Sequence, residues 1–230
     1  MKTIRQLVTI LVILACAIPA AASRLETVKV ESESMHKQID VSVVLPDSYG
    51  ARPLPVVYLL HGYGDNNLCG YLSYTNVRQY ADMFDVVLVI PDGGTNWYFD
   101  SPVDPTIRYE TFVSSELVKY IDKNYLTDAR RERRAVTGLS MGGHGALYLA
   151  IRHQDVFGAA GSMSGGVDFR PFPEKWDIKL RLGDQKTHKE NWDKNTVMAQ
   201  LPLLKDGALQ LIIDCGTEDF FFDVNVKLHE

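Results

Sequence analysis

One serine in this chain stands where a nucleophile would need to be. Residues 137–150 read TGLSMGGHGALYLA, and Gly138, Gly142, Gly143 and Gly145 crowd around Ser140. Glycine weakens both strands and helices, so this density demands a steric reason. The run RRAVTG before it reads as a buried strand, and GGHGALYLAIRH after it as a helix. A sharp turn between the two would lift the Ser140 hydroxyl above the carboxyl end of a sheet, beside the positive end of the helix. The Met141 backbone N–H would then point at a developing oxyanion. A lone G-x-S-x-G is weak, because serine and glycine are common. Set between a strand and a helix, it points to acyl-transfer chemistry.

A second oxyanion donor should come from the loop after an earlier strand, and LLHGYGDN has that form. Gly62 and Gly64 let backbone approach a substrate, with the Tyr63 N–H as the donor. His61 reads as a residue that orients this loop, and His144 as a packing or hydrogen-bonding residue. The acid of a triad should follow a later strand, and LIIDCGTEDFFFD offers Asp214, Glu218, Asp219 and Asp223. Asp214 still belongs to the strand and Asp223 to the next helix, so Asp219 is the choice and Glu218 the reserve. Against it stands the reading that these acids only cap that helix.

Strands that alternate with helices must carry these groups. LETVKVES and KQIDVSVVLP alternate apolar and polar residues like a half-buried hairpin at a sheet edge. LPVVYLLHG and DVVLVIPDG are short apolar runs ended by glycine, as central parallel strands are. YTNVRQYADMF fits a helix between them, and Val113, Leu117, Tyr120 and Ile121 fall on one face of another. FGAAGSMSGG and ALQLIIDCG complete the strands. The march predicts an α/β fold, a mostly parallel sheet with helices on both faces.

Composition sets the frame: 230 residues, 46% hydrophobic, with a net charge of −5. This is enough for one core, and no basic patch suggests nucleic acid. Residues 1–22 read as a secretory signal, with Lys2 and Arg5, an apolar run too short to span a membrane comfortably, and AAA before Ser23. The expectation is a domain over residues 23–230, exported to a periplasmic or extracellular space without stable membrane insertion. A lipid anchor on Cys16 ranks second, because Leu14 is bulkier than such a signal usual has. Cys69 and Cys215 remain, either as free thiols or as a disulfide; spacing does not decide.

Taken together, HGYGDN, PDGGTNWYFDSP, GLSMGGHGAL, SMSGG and DCGTEDF, in this order, resemble the esterase D branch of the α/β-hydrolases. That branch holds S-formylglutathione hydrolases, tributyrin, feruloyl and acetylxylan esterases, and mycolyltransferases. The similarity runs from Val28 to Glu230. It implies Ser140 as nucleophile, Tyr63 and Met141 as oxyanion donors, Asp219 as acid, and Trp97 and Tyr98 near the substrate pocket. It implies no metal and no organic cofactor, and a small-molecule or carbohydrate ester as substrate.

The resemblance also places the general-base histidine on a loop beyond the last strand, past the helix that contains His229. His36, His153 and His188 match no motif. Three readings compete: a truncated chain lacking its last strand, base and helix; a non-catalytic binding relative; or a relocated histidine, for which His188 is least implausible. Truncation ranks first, and it predicts an unpaired edge at ALQLIIDCG. An acyltransferase is the enzymatic alternative. Phe169, Phe172, Trp176 and Trp192, within residues 167–206, sit where a lid or pocket wall is expected, over a substrate or over the sheet.

Overall fold

The computed structural model describes residues 23–230. The expected secretory signal over residues 1–22 and the Cys16 within it lie outside them.

Seven strands form one sheet in the order β1-β2-β4-β3-β5-β6-β7. They are β1 (Arg24–Ser32), β2 (Lys37–Leu45), β3 (Val56–Leu60), β4 (Val87–Pro91), β5 (Arg134–Leu139), β6 (Ala159–Met163) and β7 (Gln210–Asp214). The β1–β2 hairpin is antiparallel, as its alternation predicts, and β2 joins β4 antiparallel. From β4 through β3, β5 and β6 to β7 every pairing is parallel. Parallel neighbours need crossovers, and the amphipathic runs supply them as helices. The labelled ones are α1 (Val77–Phe84), α2 (Val118–Asn124), α3 (Met141–Arg152) and α4 (Phe222–His229).

One face of the sheet is fully packed. Tyr58, Leu60 and Val136 meet α3 and the helix carrying Val113, Leu117 and Ile121, all buried. That helix holds a surprise for a 3.6-residue reading: its first turns, Phe112–Leu117, are π-helical. Glu110, just upstream, is gripped by Arg152 and His153 at 2.7 and 2.9 Å, and the Ser114 hydroxyl donates to its carbonyl. A wider turn lets that anchored stretch and the buried face coexist.

The other face is covered only in part. α1 seals it over β2, β4 and β3 through Val77 and Ala81 against Val44, Leu59, Leu88 and Ile90. Over β5, β6 and β7 an open groove of about 450 Å³ is floored by small residues such as Ala135, Thr137, Ala159 and Gly161. β7 is the sheet edge, as expected for ALQLIIDCG; Ile212 is 76% exposed, and no described residue pairs with the outer side of β7. Among the described residues no helix is long and apolar enough to cross a membrane.

Candidate active site

The carboxyl ends of β5, β6 and β7 lie level, since Leu139 pairs with Met163 and Met163 with Asp214. Ser140 is the next residue beyond that row, and α3 begins at Met141. The serine adopts φ +57° and ψ −112°, a conformation that costs a side-chain-bearing residue about 1–3 kcal/mol. Its backbone is held on both sides. The N–H donates to the Met163 carbonyl at 2.9 Å, and its carbonyl accepts from the His144 and Gly166 N–H groups at 3.0 and 3.2 Å. The side chain is half-buried, and among the described residues its hydroxyl has no hydrogen-bond partner.

Close approach explains the glycines. A Cβ on Gly142 would lie 1.9 Å from the Leu60 carbonyl oxygen, so α3 abuts the end of β3 with no room for a methyl group. A Cβ on Gly145 would meet the Tyr98 ring at 2.6 Å. The helix is thereby pressed against the β3 loop, which brings two sets of backbone amides toward one serine.

In that loop, a Cβ on Gly62 would lie 3.7 Å from Ser140 Cβ. Tyr63 follows, and its N–H has no hydrogen-bond acceptor among the described residues. The Met141 N–H opens a helix and therefore has no intrahelical acceptor. His61 behaves as the sequence suggests. The Gly93 N–H donates to its Nε2 at 2.8 Å, which leaves the proton on Nδ1 to bond the Gly62 carbonyl at 2.8 Å. The ring is fully engaged in shaping the loop and has no nitrogen for Ser140.

Asp219 sits half-buried in the loop between β7 and α4. Its Oδ1 accepts the N–H of Phe221, two residues on, at 2.8 Å, a side-chain turn just ahead of α4. Among the described residues Oδ2 has no partner. Glu218 is exposed.

No described histidine ring bonds the Ser140 hydroxyl. His144 is fully buried, with Nδ1 3.2 Å from the Trp97 carbonyl and Nε2 3.0 Å from the Asn195 carbonyl. His153 pairs with Glu110, His188 sits against Thr187, and His229 closes α4 beside Cys215. His36 is in the β1–β2 turn, on the far side of the sheet.

Burial pushes His144 down to about 4, against the two carbonyls, which pull it upward. An unfolded histidine titrates near its usual 6.5, so the unfolded chain takes up a proton that the folded one refuses. Stability is therefore complete above that value and falls as the pH drops toward 4, by about 3 kcal/mol. Urea denaturation between pH 7 and pH 4 should show this loss, and His144→Asn should flatten the slope while lowering the plateau.

Trp97 and Tyr98 correct the sequence reading. At 1% and 0% exposure neither ring offers a surface to a ligand. Both take φ +58°. Trp97 packs on His144 and Phe169, and the Tyr98 hydroxyl donates to the His61 carbonyl at 3.2 Å. They carry the site from beneath: Gly145 of α3 and Gly93 leave the space that the Tyr98 ring fills, and Gly166 leaves that of Trp97. Cys69 and Cys215 are separate free thiols, Cys69 exposed and Cys215 half-buried.

Residues 167–206 fold over the site as short helices, Ile178–Leu182, Lys189–Lys194 and Val197–Gln200. Phe169 and Trp192 go to the core, whereas Trp176 and Phe172 gather with Phe220 and Phe221 of the Asp219 loop. Asp177 was not singled out by sequence, yet it accepts a hydrogen bond from the Tyr63 hydroxyl at 2.8 Å. An aspartate just before a short helix reads as an ordinary cap, and nothing local announces so distant a partner.

A parallel sheet that ends in a strained serine turn, faced by a glycine loop and an acid-bearing loop, defines the α/β-hydrolase class. Within it the chain belongs to the esterase family, whose model, described as "Putative esterase", matches residues 32–229. It is 36% identical over 135 residues to an esterase of Mycobacterium tuberculosis, a match covering 56% of this chain and 30% of that one. It is 30% identical over 210 residues to a diacylglycerol acyltransferase/mycolyltransferase of Mycobacterium leprae, covering 83% and 62%. The matches thus span less than two thirds of either relative. A solved ferulic acid esterase superposes with a TM-score of 0.75 at 26% identity, over 90% of this chain and 84% of that one.

Proposed function

We propose that the protein is an exported serine carboxylic-ester hydrolase that acts through an acyl-enzyme on Ser140. The observation that carries this reading is the Ser140 turn itself: a free hydroxyl in a strained conformation, beside two unoccupied backbone N–H groups from separate elements. Strain of this kind persists where the surroundings over-determine it, and functional sites are where it collects.

In the reaction, Ser140 Oγ attacks the ester carbonyl carbon and gives up its proton to a base. The Tyr63 and Met141 N–H groups hold the oxyanion. The tetrahedral intermediate expels the alcohol, which takes the proton, and water then releases the acid. Asp219, through Oδ2, is the carboxylate available to orient an imidazole. Beside the serine, Gly62, Tyr71, Tyr74 and Leu139 line a pocket of about 220 Å³, a size that suits a short acyl group. The half-exposed aromatics of the covering segment suit a sugar or aromatic portion.

A fluorophosphonate probe tests this, with mass spectrometry locating the adduct; labelling on Ser140 is expected. That no described histidine ring bonds the Ser140 hydroxyl, with those of His61, His144 and His153 engaged elsewhere, favours a second reading, a binding relative that keeps the pocket without the chemistry. That protein would stay unlabelled while still binding an ester analogue. Transfer to an added alcohol in excess of hydrolysis would mark an acyltransferase.

A further inference from the structure

We propose that the Tyr63 hydroxyl and the Asp177 carboxylate form a latch that positions the Tyr63 backbone N–H over Ser140, making both of them positioning residues for the acyl transfer proposed above, on which this inference rests.

Tyr63 lies between Gly62 and Gly64, and Gly64 has φ +81°. Such a segment has unusual backbone freedom. The base of the loop is pinned by His61 and by the Tyr98 hydroxyl, and the Asp65 N–H closes a turn onto the Gly62 carbonyl at 3.3 Å. Residue 63 itself has no backbone hydrogen bond among the described residues. Its one polar anchor there is the phenol, which donates to Asp177 Oδ2 at 2.8 Å across 114 positions of sequence. An oxyanion donor acts only from the right place, and nothing else on Tyr63 supplies that place.

Asp177 is built to be the fixed end. It occupies the cap position of the Ile178–Leu182 helix, where an aspartate side chain would ordinarily accept the helix's own N–H groups. Here it makes no such bond, and its carboxylate is turned to Tyr63 instead. Trp176 and Asp177 have φ +53° and +54°, two consecutive left-handed residues, the first with a bulky side chain. Such a pair is strained and persists only where the surroundings hold it.

Those surroundings are present. The Trp97 Nε1–H donates to the Trp176 carbonyl at 3.1 Å, and the Trp176 ring stacks on Phe220 at 5.4 Å with a 27° tilt. The ring also meets Phe221 at 5.1 Å. Phe220 and Phe221 directly follow Asp219. One covering segment therefore ties the oxyanion loop, through Asp177, to the acid loop, through Trp176. Hydrogen bonding to Asp177 also holds the Tyr63 phenol above its usual range, as expected for a proton kept between the two groups.

The latch is at the surface, so its loss should loosen the donor without unfolding the protein. Removing an oxyanion donor outright costs roughly 10²–10³ in rate; misplacing one by losing the latch should cost about tenfold. The test compares the 230-residue chain with Tyr63→Phe, Asp177→Ala, Asp177→Asn and the Tyr63→Phe/Asp177→Ala pair. Amide hydrogen exchange over residues 61–66 should speed up about fivefold or more in Tyr63→Phe and Asp177→Ala, with the thermal midpoint unchanged. Asp177→Asn keeps an acceptor oxygen and should restore most of the protection. The pair should behave like either single variant, as expected when both break one interaction.

Fluorophosphonate labelling of Ser140 should slow about tenfold in the same variants, with kcat for a small acetyl ester falling and KM held. Exchange that does not change would overturn the latch. Faster exchange with undiminished labelling would overturn its role in positioning the donor. If the unaltered protein does not label at all, the esterase reading fails, and the exchange experiment alone still decides whether the latch exists.

Discussion

Replacing Ser140 with alanine should abolish fluorophosphonate labelling and remove the acyl-enzyme route for a small activated ester, leaving only the residual acceleration that the oxyanion donors and binding supply. The hydroxyl is the only group of the site that can form the covalent bond, whereas Tyr63 and Met141 contribute only polarisation. The unaltered chain should itself be slow. A triad stripped of one member retains roughly 10³–10⁴-fold acceleration from the oxyanion donors and binding, and none of the six histidine rings hydrogen-bonds the Ser140 hydroxyl. Deprotonation must then fall to solvent, so the rate should climb about tenfold per pH unit between pH 6 and pH 9. Added imidazole should accelerate the unaltered chain and leave Ser140→Ala unmoved. A rate that levels off near pH 7 would show an imidazole already in place and would overturn this account of the histidines.

Gly142→Ala should cost both fold and chemistry. Alanine is the better helix former by about 1 kcal/mol, which on an open helix would stabilise. Here the added Cβ would lie 1.9 Å from the Leu60 oxygen, 2.5 Å from its carbon and 2.9 Å from the His61 oxygen, all backbone atoms. None of them is the free end of a side chain that can swing away. The strain of such overpacking is about 1–3 kcal/mol, so it outweighs the propensity. Relief requires α3 to move off the end of β3, which carries the Met141 N–H away from the Tyr63 loop. The urea midpoint should fall and Ser140 labelling should drop by more than the loss of folded protein explains. Gly216→Ala is the stability control, since nothing lies within 4 Å of a Cβ there. An unchanged midpoint for Gly142→Ala would mean that the helix does not abut β3 as described.

The succession of strands and helices along the chain, the position of the serine turn and the loop beside it were legible in the residues, whereas the order of the strands in the sheet was not. Apolar alternation in the hairpin, continuous apolar runs in the central strands and glycine around Ser140 are local signals. Each reports what its own few neighbours tolerate, and the sheet register then brings the strand ends level. The π-helical turn at Phe112–Leu117 escaped this reading because a 3.6-residue period was assumed throughout; Glu110 just before it is held by Arg152 and His153, both remote in sequence.

Side-chain roles were a different matter. The family resemblance put Trp97 and Tyr98 near the substrate pocket, and their rings are buried beneath it, with the space for Tyr98 left by Gly93 and by Gly145 on α3. Two cysteines of equal standing in sequence became two free thiols. His61 and His144 have the residue type of a base, but their nitrogens are committed to backbone groups, from the adjacent Gly62 carbonyl to the distant Gly93 N–H and the Trp97 and Asn195 carbonyls. The sequence on its own determined the fold and the serine at its turn, since both follow from short-range sterics and periodic burial. Only the tertiary structure decided which rings are covered, which imidazoles are already engaged and that Tyr63 is held by Asp177, because each depends on contacts between residues distant in the chain.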